Sequence, residues 1–175
     1  MLQLILGGTR SGKSRLAEQT AKKLGRPVVY IATAQARDAE MQDRIAHHQA
    51  QRPSDWQIVE EPLYLAKILQ QLDAPGTTIL VDCLTLWMSN LLMDDNATLQ
   101  TEQTQALLEI LPTLQAHVIL VSNETGLGVV PMGELTRKFV DEAGRLHQQI
   151  GQIVNKVQFC VAGFPMLLKD VAENS

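Results

Sequence analysis

The stretch GGTRSGKS at residues 7–14 lies between a short apolar run, Leu2–Leu6, and a helical pattern, Lys13–Leu24. It matches G-x-x-x-x-G-K-[ST], in which glycines allow backbone N–H groups to point inward at phosphate oxygens. The N-terminus of the following helix adds the positive end of its dipole. Lys13 is then placed to reach the β- and γ-phosphates, and the Ser14 hydroxyl to bind Mg²⁺. The sequence thus predicts a nucleoside triphosphate site, since a chance glycine-rich turn rarely has this strand-then-helix context. The predicted phosphate contacts are Gly7, Gly8, Thr9, Arg10, Ser11, Gly12, Lys13 and Ser14.

The composition fits one ordinary globular domain, residues 1–175, with 45% apolar residues, 19% charged residues and a net charge of −4. A mildly acidic chain is a poor candidate for nucleic-acid binding, so we expect no nucleic-acid partner. Cys83 and Cys160 lie in apolar runs without metal-ligand spacing, which favours reduced core thiols. The run Leu2–Leu6 is too short for a signal peptide or a membrane span, and we therefore expect a cytoplasmic protein.

Short apolar runs alternate with helical patterns along the rest of the chain. The predicted strands are Leu2–Leu6, Val28–Ala32, Trp56–Glu60, Thr77–Cys83, His117–Ser122 and Gln158–Ala162, and the predicted helices are Lys13–Leu24, Asp38–Gln51, Leu63–Leu72, Leu84–Met93, Leu99–Gln115 (kinked or divided at Pro112) and Glu134–Val154. Because the strands are continuously apolar, we predict an α/β, single-domain P-loop NTPase fold, a mostly parallel sheet with helices on both faces. Ligands of such sheets bind at the carboxyl ends of the strands. The apolar run Leu84–Leu92 fits either an interface or the core.

A carboxylate ends one of the predicted strands, where a P-loop enzyme needs a second partner for Mg²⁺. Thr78–Val81 is an apolar run, and Asp82 follows it directly. The alternative is an aspartate that caps the next helix, and both roles are compatible because the strand end and the helix start coincide.

Two adjacent histidines lie on the predicted helix Asp38–Gln51. Neighbouring helical residues point about 100° apart, so the two side chains cannot face one site. His48 shares a stripe with Met41 and Ile45, which favours packing, whereas His47 belongs to a polar stripe and is the better chemical residue. From the helix alone, a surface or packing role remains the ordinary interpretation of both.

Several segments, spanning nearly the whole chain in order, resemble the bifunctional adenosylcobinamide kinase/adenosylcobinamide-phosphate guanylyltransferase family of cobalamin biosynthesis. The segments are Gly7–Arg15; Tyr30–Ala34; Asp38–Met41 with Arg44–His48; Arg52-Pro53, Trp56 and Glu60–Pro62; Asp82–Trp87 with Asn90–Leu92; and Val121–Glu124 with Gly126, Gly128, Pro131 and Gly144-Arg145. The glycine-rich stretch alone would be unspecific, but the runs around His47 and after Asp82 are far more particular.

The resemblance implies two reactions, phosphorylation of the aminopropanol hydroxyl of adenosylcobinamide and transfer of GMP from GTP to the resulting phosphate. It implies a guanylylated histidine at the position of His47, with GTP and ATP as substrates, and the Mg²⁺ expected at Ser14 and Asp82 is the cofactor. It also implies a homo-oligomer, a ring-like trimer. The nucleotide contacts that it implies beyond the glycine-rich stretch are Ala32, Thr33, Ala34, His48, Gln49, Ala50, Gln51, Glu61 and Asp82. The choice of Glu61 over Glu60 stays open, as does the phosphate donor.

Two features depart from the family or lie beside it. His147 stands where the family often has Asn, and the usual Asn near Gly133 is missing, which leaves corrinoid or subunit contacts open. Asn123 and Glu124 end a predicted strand beside a glycine-rich loop, Gly126–Gly133. Glu124 is a candidate base or metal partner in phosphoryl transfer, and the alternative is a turn-forming Asn with an exposed Glu.

Two other functions use the same phosphate motif. A kinase of another small molecule would have no use for His47. A GTPase switch needs Asp-x-x-Gly after an early strand and Asn-Lys-x-Asp after a late one. Here Asp141–Gly144 falls inside a predicted helix, and Asn155–Gln158 lacks the final aspartate, which disfavours the switch.

Overall fold

The computed structural model describes residues 1–35, 53 and 55–171. The strands are β1 (Leu2–Gly7), β2 (Val28–Ala32), β3 (Gln57–Glu60), β4 (Thr78–Asp82), β5 (His117–Asn123), β6 (Lys156–Val161) and β7 (Phe164–Asp170). The α-helices are α1 (Lys13–Lys23), α2 (Leu65–Leu72), α3 (Leu84–Leu92), α4 (Leu99–Ile110) and α5 (Glu134–Ile153), and a 3₁₀ turn spans Leu111–Thr113. The predicted helix Asp38–Gln51 lies outside the described residues.

One sheet organises these elements in the order β3-β2-β4-β5-β1-β6-β7. Neighbouring strands from β3 to β6 pair in parallel, and β7 pairs antiparallel with β6. The prediction of a mostly parallel sheet is therefore confirmed. The carboxyl ends of β1, β2, β4 and β5 meet at one edge, which is where the predicted site residues of the described chain lie.

Apolar side chains form a core on each face of the sheet, because alternate residues of a strand point to opposite faces. On one face, Ile5 and Ile119 pack with Ala17 and Ala21 of α1. On the other, Leu4 and Val118 pack with the buried sides of α2, α3, α4 and α5. The helices thus cover both faces, as predicted.

Helix α3 belongs to the core. Leu84, Trp87, Met88 and Leu91 are each at most 1% exposed, and they pack in the same cluster as the strands. Of the two alternatives for the run Leu84–Leu92, burial inside the subunit is correct.

Several predicted boundaries differ from those of the structure, and two of the differences have a clear physical reason. The predicted helix Leu99–Gln115 is too long, because α4 ends at Ile110 and a 3₁₀ turn containing Pro112 follows. That proline lacks the N–H that would continue the helix, so a division there was the better alternative. The predicted strand Gln158–Ala162 begins instead at Lys156, where pairing with β1 starts.

Strand β7 was missed altogether. It is an edge strand that contains Pro165, and nearly all of it is exposed. Proline is tolerated at an edge, but in a sequence it argues against a strand. Within the parts of the chain that the structure describes, no helix combines the length and the apolar character needed to cross a membrane.

Candidate active site

The glycine-rich loop connects β1 to α1 and is closed by local hydrogen bonds. Ser11 N–H donates to Gly8 O at 3.2 Å, and Leu16 N–H donates to Gly12 O at 2.9 Å as α1 begins. Gly12 has φ of 95°, a left-handed conformation that glycine adopts without a steric cost. Lys13 Nζ donates to Gly8 O at 3.2 Å, so its ammonium group lies over the loop. The strand, the loop and the helix thus follow one another in the order that the phosphate-binding pattern predicted.

The turn between β6 and β7 supports the loop from outside. Ser11 O accepts hydrogen bonds from Gly163 N–H at 2.8 Å and from Cys160 Sγ at 3.1 Å. A Cβ at Gly12 would lie 3.1 Å from Gly163 Cα, and one at Gly7 would lie 2.7 Å from Cys160 O. Glycine is required at both positions because the backbones approach so closely.

Asp82 lies at the carboxyl end of β4, as predicted, and Tyr30 Oη donates to its Oδ2 at 2.8 Å. The N-cap residue of α3 is Cys83, so the carboxylate faces Tyr30 instead of capping the helix. A hydroxyl from Ser14 and a carboxylate from Asp82 are oxygen ligands of the kind that Mg²⁺ prefers. The predicted donor set thus fits the metal chemically.

The pKa of the Cys83 thiol is set by burial and by the charges of Asp82 and Lys13. Burial raises the pKa of the Cys83 thiol to about 11, and the Asp82 carboxylate adds to this rise. The Lys13 ammonium opposes the rise and is the smallest of these influences. Both cysteines are free and buried, which confirms the prediction of reduced core thiols.

Thr33 joins the ends of β2 and β4. Its hydroxyl donates to Cys83 O at 2.7 Å and accepts from Cys83 N–H at 2.9 Å, and the side chain is fully buried. The Asp82–Cys83 peptide bond is cis. Of the flanking residues, Ala32 is buried and Ala34 is half-buried. Any contact of this turn with a nucleotide therefore involves Ala34 or the backbone more readily than the Thr33 hydroxyl.

Glu61 lies at the same edge and organises the start of α2. Its N–H donates to Ala32 O at 3.0 Å, and its Oε1 accepts from Leu63 N–H at 2.9 Å and Tyr64 N–H at 2.8 Å. Glu60 is the exposed last residue of β3. Glu61 is thus fixed at the start of α2, whereas Glu60 lies exposed at the end of β3.

Two polar residues buried on α3 hold this edge together, and sequence reasoning assigned neither of them a role. Asn90 Nδ2 donates to Thr33 O at 2.8 Å and to Pro62 O at 3.2 Å. Thr85 Oγ1 accepts from Asn123 N–H at 3.3 Å and lies 3.0 Å from Cys83 Sγ. A polar residue in an otherwise apolar buried helix needs a hydrogen-bond partner, and this is the feature that could have identified both.

The remaining predicted residues divide between exposed and undescribed positions. Thr9 and Arg10 are exposed on the loop, and Arg10 has φ of 55°. His47, His48, Gln49, Ala50 and Gln51 lie outside the described residues. Within residues 1–35, 53 and 55–171, no group of three or more His, Cys, Asp or Glu side chains could hold a metal ion.

A glycine-rich loop backed by Lys13, with an acidic strand end nearby, defines the class of the protein: a P-loop nucleotide-binding enzyme with an α/β fold. Residues 3–168 match the family described as cobinamide kinase / cobinamide phosphate guanyltransferase. The chain belongs to this family, which confirms the predicted enzyme class, a kinase and guanylyltransferase. It also excludes the GTPase switch and the kinase of an unrelated small molecule.

Relatives match over nearly the whole chain. The bifunctional adenosylcobalamin biosynthesis protein CobP of Pseudomonas aeruginosa is 57% identical over 97% of this chain and 98% of its own length. The proteins described as bifunctional adenosylcobalamin biosynthesis protein CobU from Escherichia coli and Salmonella typhimurium are each 36% identical over 97% of this chain and 100% of their own length.

Solved structures of low identity share the fold. PH0250 of Pyrococcus horikoshii aligns with a TM-score of 0.56 at 9% identity, covering 98% of this chain and 87% of that protein. A DnaB-like replicative helicase aligns with a TM-score of 0.50 at 16% identity, over 90% of this chain and 46% of its own. At such identities the likeness concerns the fold alone.

Proposed function

We propose that this enzyme phosphorylates adenosylcobinamide with a nucleoside triphosphate, ATP or GTP, and then transfers GMP from GTP to adenosylcobinamide phosphate through a guanylylated His47. The observation that carries the proposal is the preformed loop with Lys13 over it, in a chain of the cobinamide kinase / cobinamide phosphate guanyltransferase family. One phosphate cradle would serve both reactions.

In the guanylylation step, a His47 ring nitrogen attacks the α-phosphorus of GTP. The N–P bond forms, the bond from the α-phosphorus to the bridging oxygen breaks, and pyrophosphate leaves. A neutral imidazole is a competent nucleophile near pH 7, because its unperturbed pKa is about 6.5. An oxygen of adenosylcobinamide phosphate then attacks the same phosphorus and releases His47, so that one displacement is divided into two easier ones.

The other groups bind and orient the nucleotide. Lys13 and the loop N–H groups from Gly7 to Ser14 hold the phosphate oxygens and balance the charge that develops on them. Ser14 and Asp82 are the proposed holders of Mg²⁺, which when bound supplies further positive charge to the triphosphate. The remaining nucleotide contacts that we propose are Ala32, Thr33, Ala34, His48, Gln49, Ala50, Gln51, Glu61 and Asp82.

We also propose that the enzyme works in the cytoplasm as a homo-oligomer, a trimer as the resemblance implies. Two free buried cysteines suit a reducing compartment. The described surface carries large exposed apolar residues in the segment 127–135 and on β7, the kind of area that subunit contacts cover.

Labelling with GTP that carries the label on its α-phosphate tests the nucleophile. We expect the wild-type protein to acquire an acid-labile label that peptide mass analysis places on His47. His47→Ala should abolish the label and GMP transfer while keeping most kinase turnover. Lys13→Ala should impair both reactions, since both depend on the phosphate cradle.

His48→Ala is the matched neighbour: because we propose His48 only as a nucleotide contact, this variant should raise the KM for GTP but keep the covalent label at saturating GTP. A His47→Ala enzyme with normal guanylyltransferase turnover would show that the nucleophile lies elsewhere. A label found on His48 would do the same.

A further inference from the structure

The end of β5 lies between the phosphate loop and Asp82. The strand order places β5 directly between β1, which leads into the loop, and β4, which ends at Asp82. Glu124 follows β5, and its N–H donates to Gly7 O at 3.1 Å, which fixes it beside the first residue of the loop. The backbone of Glu124 therefore adjoins the loop that we propose binds the triphosphate. The side chain of Glu124 is only 19% exposed, so the alternative of an exposed turn glutamate does not hold.

Both carboxylate oxygens of Glu124 face groups that can hold them. Oε1 accepts from Gly126 N–H at 2.5 Å. Oε2 lies 3.8 Å from Nδ1 of His147 on α5. A carboxylate has about four lone-pair sites, so these contacts leave Glu124 able to accept a further proton.

His147 is itself held from the other side of its ring. Its Nε2 lies 2.7 Å from Ser122 Oγ, and both side chains are buried. When Ser122 donates to Nε2, the ring proton is on Nδ1 and points toward Glu124. Burial lowers the pKa of His147, and the Glu124 carboxylate offsets part of that fall. Ser122, His147 and Glu124 thus form a row of polar groups that ends at the Glu124 carboxylate, and the backbone of Glu124 bonds to Gly7 of the phosphate loop.

We propose that Glu124 accepts the proton of the attacking cobinamide hydroxyl in the kinase step, and that His147 and Ser122 are positioning residues that orient its carboxylate. The inference rests on the proposed two-step function. The hydroxyl oxygen forms a bond to the γ-phosphorus as the bond from that phosphorus to the β–γ bridging oxygen breaks. The nucleoside diphosphate leaves with the electron pair, and the hydroxyl proton passes to Glu124 and then to solvent.

The guanylyl transfer has no need of this base. Its first nucleophile is the imidazole of His47, and its second is a phosphate monoester. The second pKa of such a phosphate is about 6, so near pH 7 it is already mostly deprotonated. Only the alcohol of the first reaction must lose a proton during attack. Glu124 therefore serves the kinase half alone, and this separation makes the inference testable.

The decisive variant is Glu124→Gln, which keeps the shape and removes the basic carboxylate. We expect its kinase kcat to fall about 100-fold or more, the usual range for loss of a general base. Covalent labelling by α-labelled GTP and GMP transfer to preformed cobinamide phosphate should stay within about threefold of wild type. Glu109→Gln, an exposed carboxylate on α4 bonded only to Gln105 within the described chain, is the matched control and should leave both reactions unchanged.

The positioning role of His147 is tested by two substitutions, each of which replaces the ring with an amide that keeps a nitrogen at one of the two ring positions. His147→Asn keeps a nitrogen at the δ position, facing Glu124, and should keep near wild-type kinase kcat. His147→Gln keeps only a nitrogen at the ε position, facing Ser122, and should lower kinase kcat about tenfold with little change in KM. In the Glu124→Gln background the two variants should be equal, because His147 acts through Glu124.

Two results would overturn the inference while leaving the proposed function intact: normal kinase kcat in Glu124→Gln, or equal loss of both reactions in that variant with a native melting temperature. Loss of covalent labelling in the wild-type enzyme would instead contradict the proposed function. Should His147→Gln fail to fold, Ser122→Ala provides the same test at the next residue of the row.

Discussion

At the residue scale, the structure gives a physical role to His147, which departs from the residue that the resemblance leads us to expect. The sequence left open a contact with the corrinoid or with another subunit. The structure places the ring inside the subunit, 8% exposed, against Ser122 and near Glu124. An asparagine, which the resemblance leads us to expect at this position, would present a side-chain nitrogen at the position of Nδ1, so both residue types could face Glu124.

The lowered pKa of His147 predicts acid-sensitive stability. As the pH falls below about 6.5, the unfolded chain binds the proton more readily than the folded one, so the free energy of unfolding decreases through that window. His147→Asn should have a smaller decrease between about pH 7.5 and about pH 5, as measured by urea unfolding. An equal decrease in both proteins would mean that other groups cause it.

The phosphate loop shows which parts of the site can be predicted from the sequence and which cannot. Its glycine spacing is local, so residues 7–14 were identified without any knowledge of their surroundings. The contacts of Ser11 O with Cys160 and Gly163 join positions about 150 residues apart, and no local pattern encodes such a pairing. Long-range support for a site is therefore a finding of the structure.

At the scale of the element, α3 combines packing with organisation of the site. Its apolar face is core, while Thr85 and Asn90 are buried polar residues that reach the ends of β2, β4 and β5. Helix existence was predictable from its periodicity. The polar contacts were not, because they depend on which strand ends meet above the helix.

Asn90→Ala should destabilise the fold and weaken nucleotide binding together. Removing the amide leaves Thr33 O and Pro62 O without their buried donor, which costs about 1–3 kcal/mol in the free energy of unfolding. The same loss frees the turns at Thr33 and Glu61, so the KM for GTP should rise. Denaturant unfolding and steady-state kinetics measure the two effects.

Ser89→Ala is the control on the same helix, since the Ser89 hydroxyl bonds only within it among the described contacts, to Thr85 O. It should change the unfolding free energy by less than about 0.5 kcal/mol. If Asn90→Ala and Ser89→Ala changed the free energy of unfolding equally, the hydrogen bonds of Asn90 would not be what stabilises this edge.

At the scale of the whole molecule, the parallel sheet was predictable because each central strand is a continuous apolar run between helices. Strand β7 was not, since its sequence contains a proline and its apolar residues are exposed. Phe164, Met166, Leu167 and Leu168 are each more than half exposed. The sequence of β7 therefore shows no alternation between a buried and an exposed face. Within the described chain, only β6 pairs with this strand.

The exposed apolar residues of β7 and of the segment 127–135 predict association. Sedimentation velocity should give a particle of three times the chain mass of 19.4 kDa. Phe164→Lys and Val129→Lys each place a charge on one of the two surfaces, and at least one should produce monomers. A wild-type protein that stays monomeric at high concentration would contradict the trimer.

The hydrogen bond from Gly163 N–H to Ser11 O connects the last hairpin directly to the phosphate loop. A partner bound along β7 that displaced Gly163 would act on the phosphate loop through this one hydrogen bond. In that case the affinity for nucleotide would depend on what contacts the outer edge of the sheet, at a distance from the nucleotide itself.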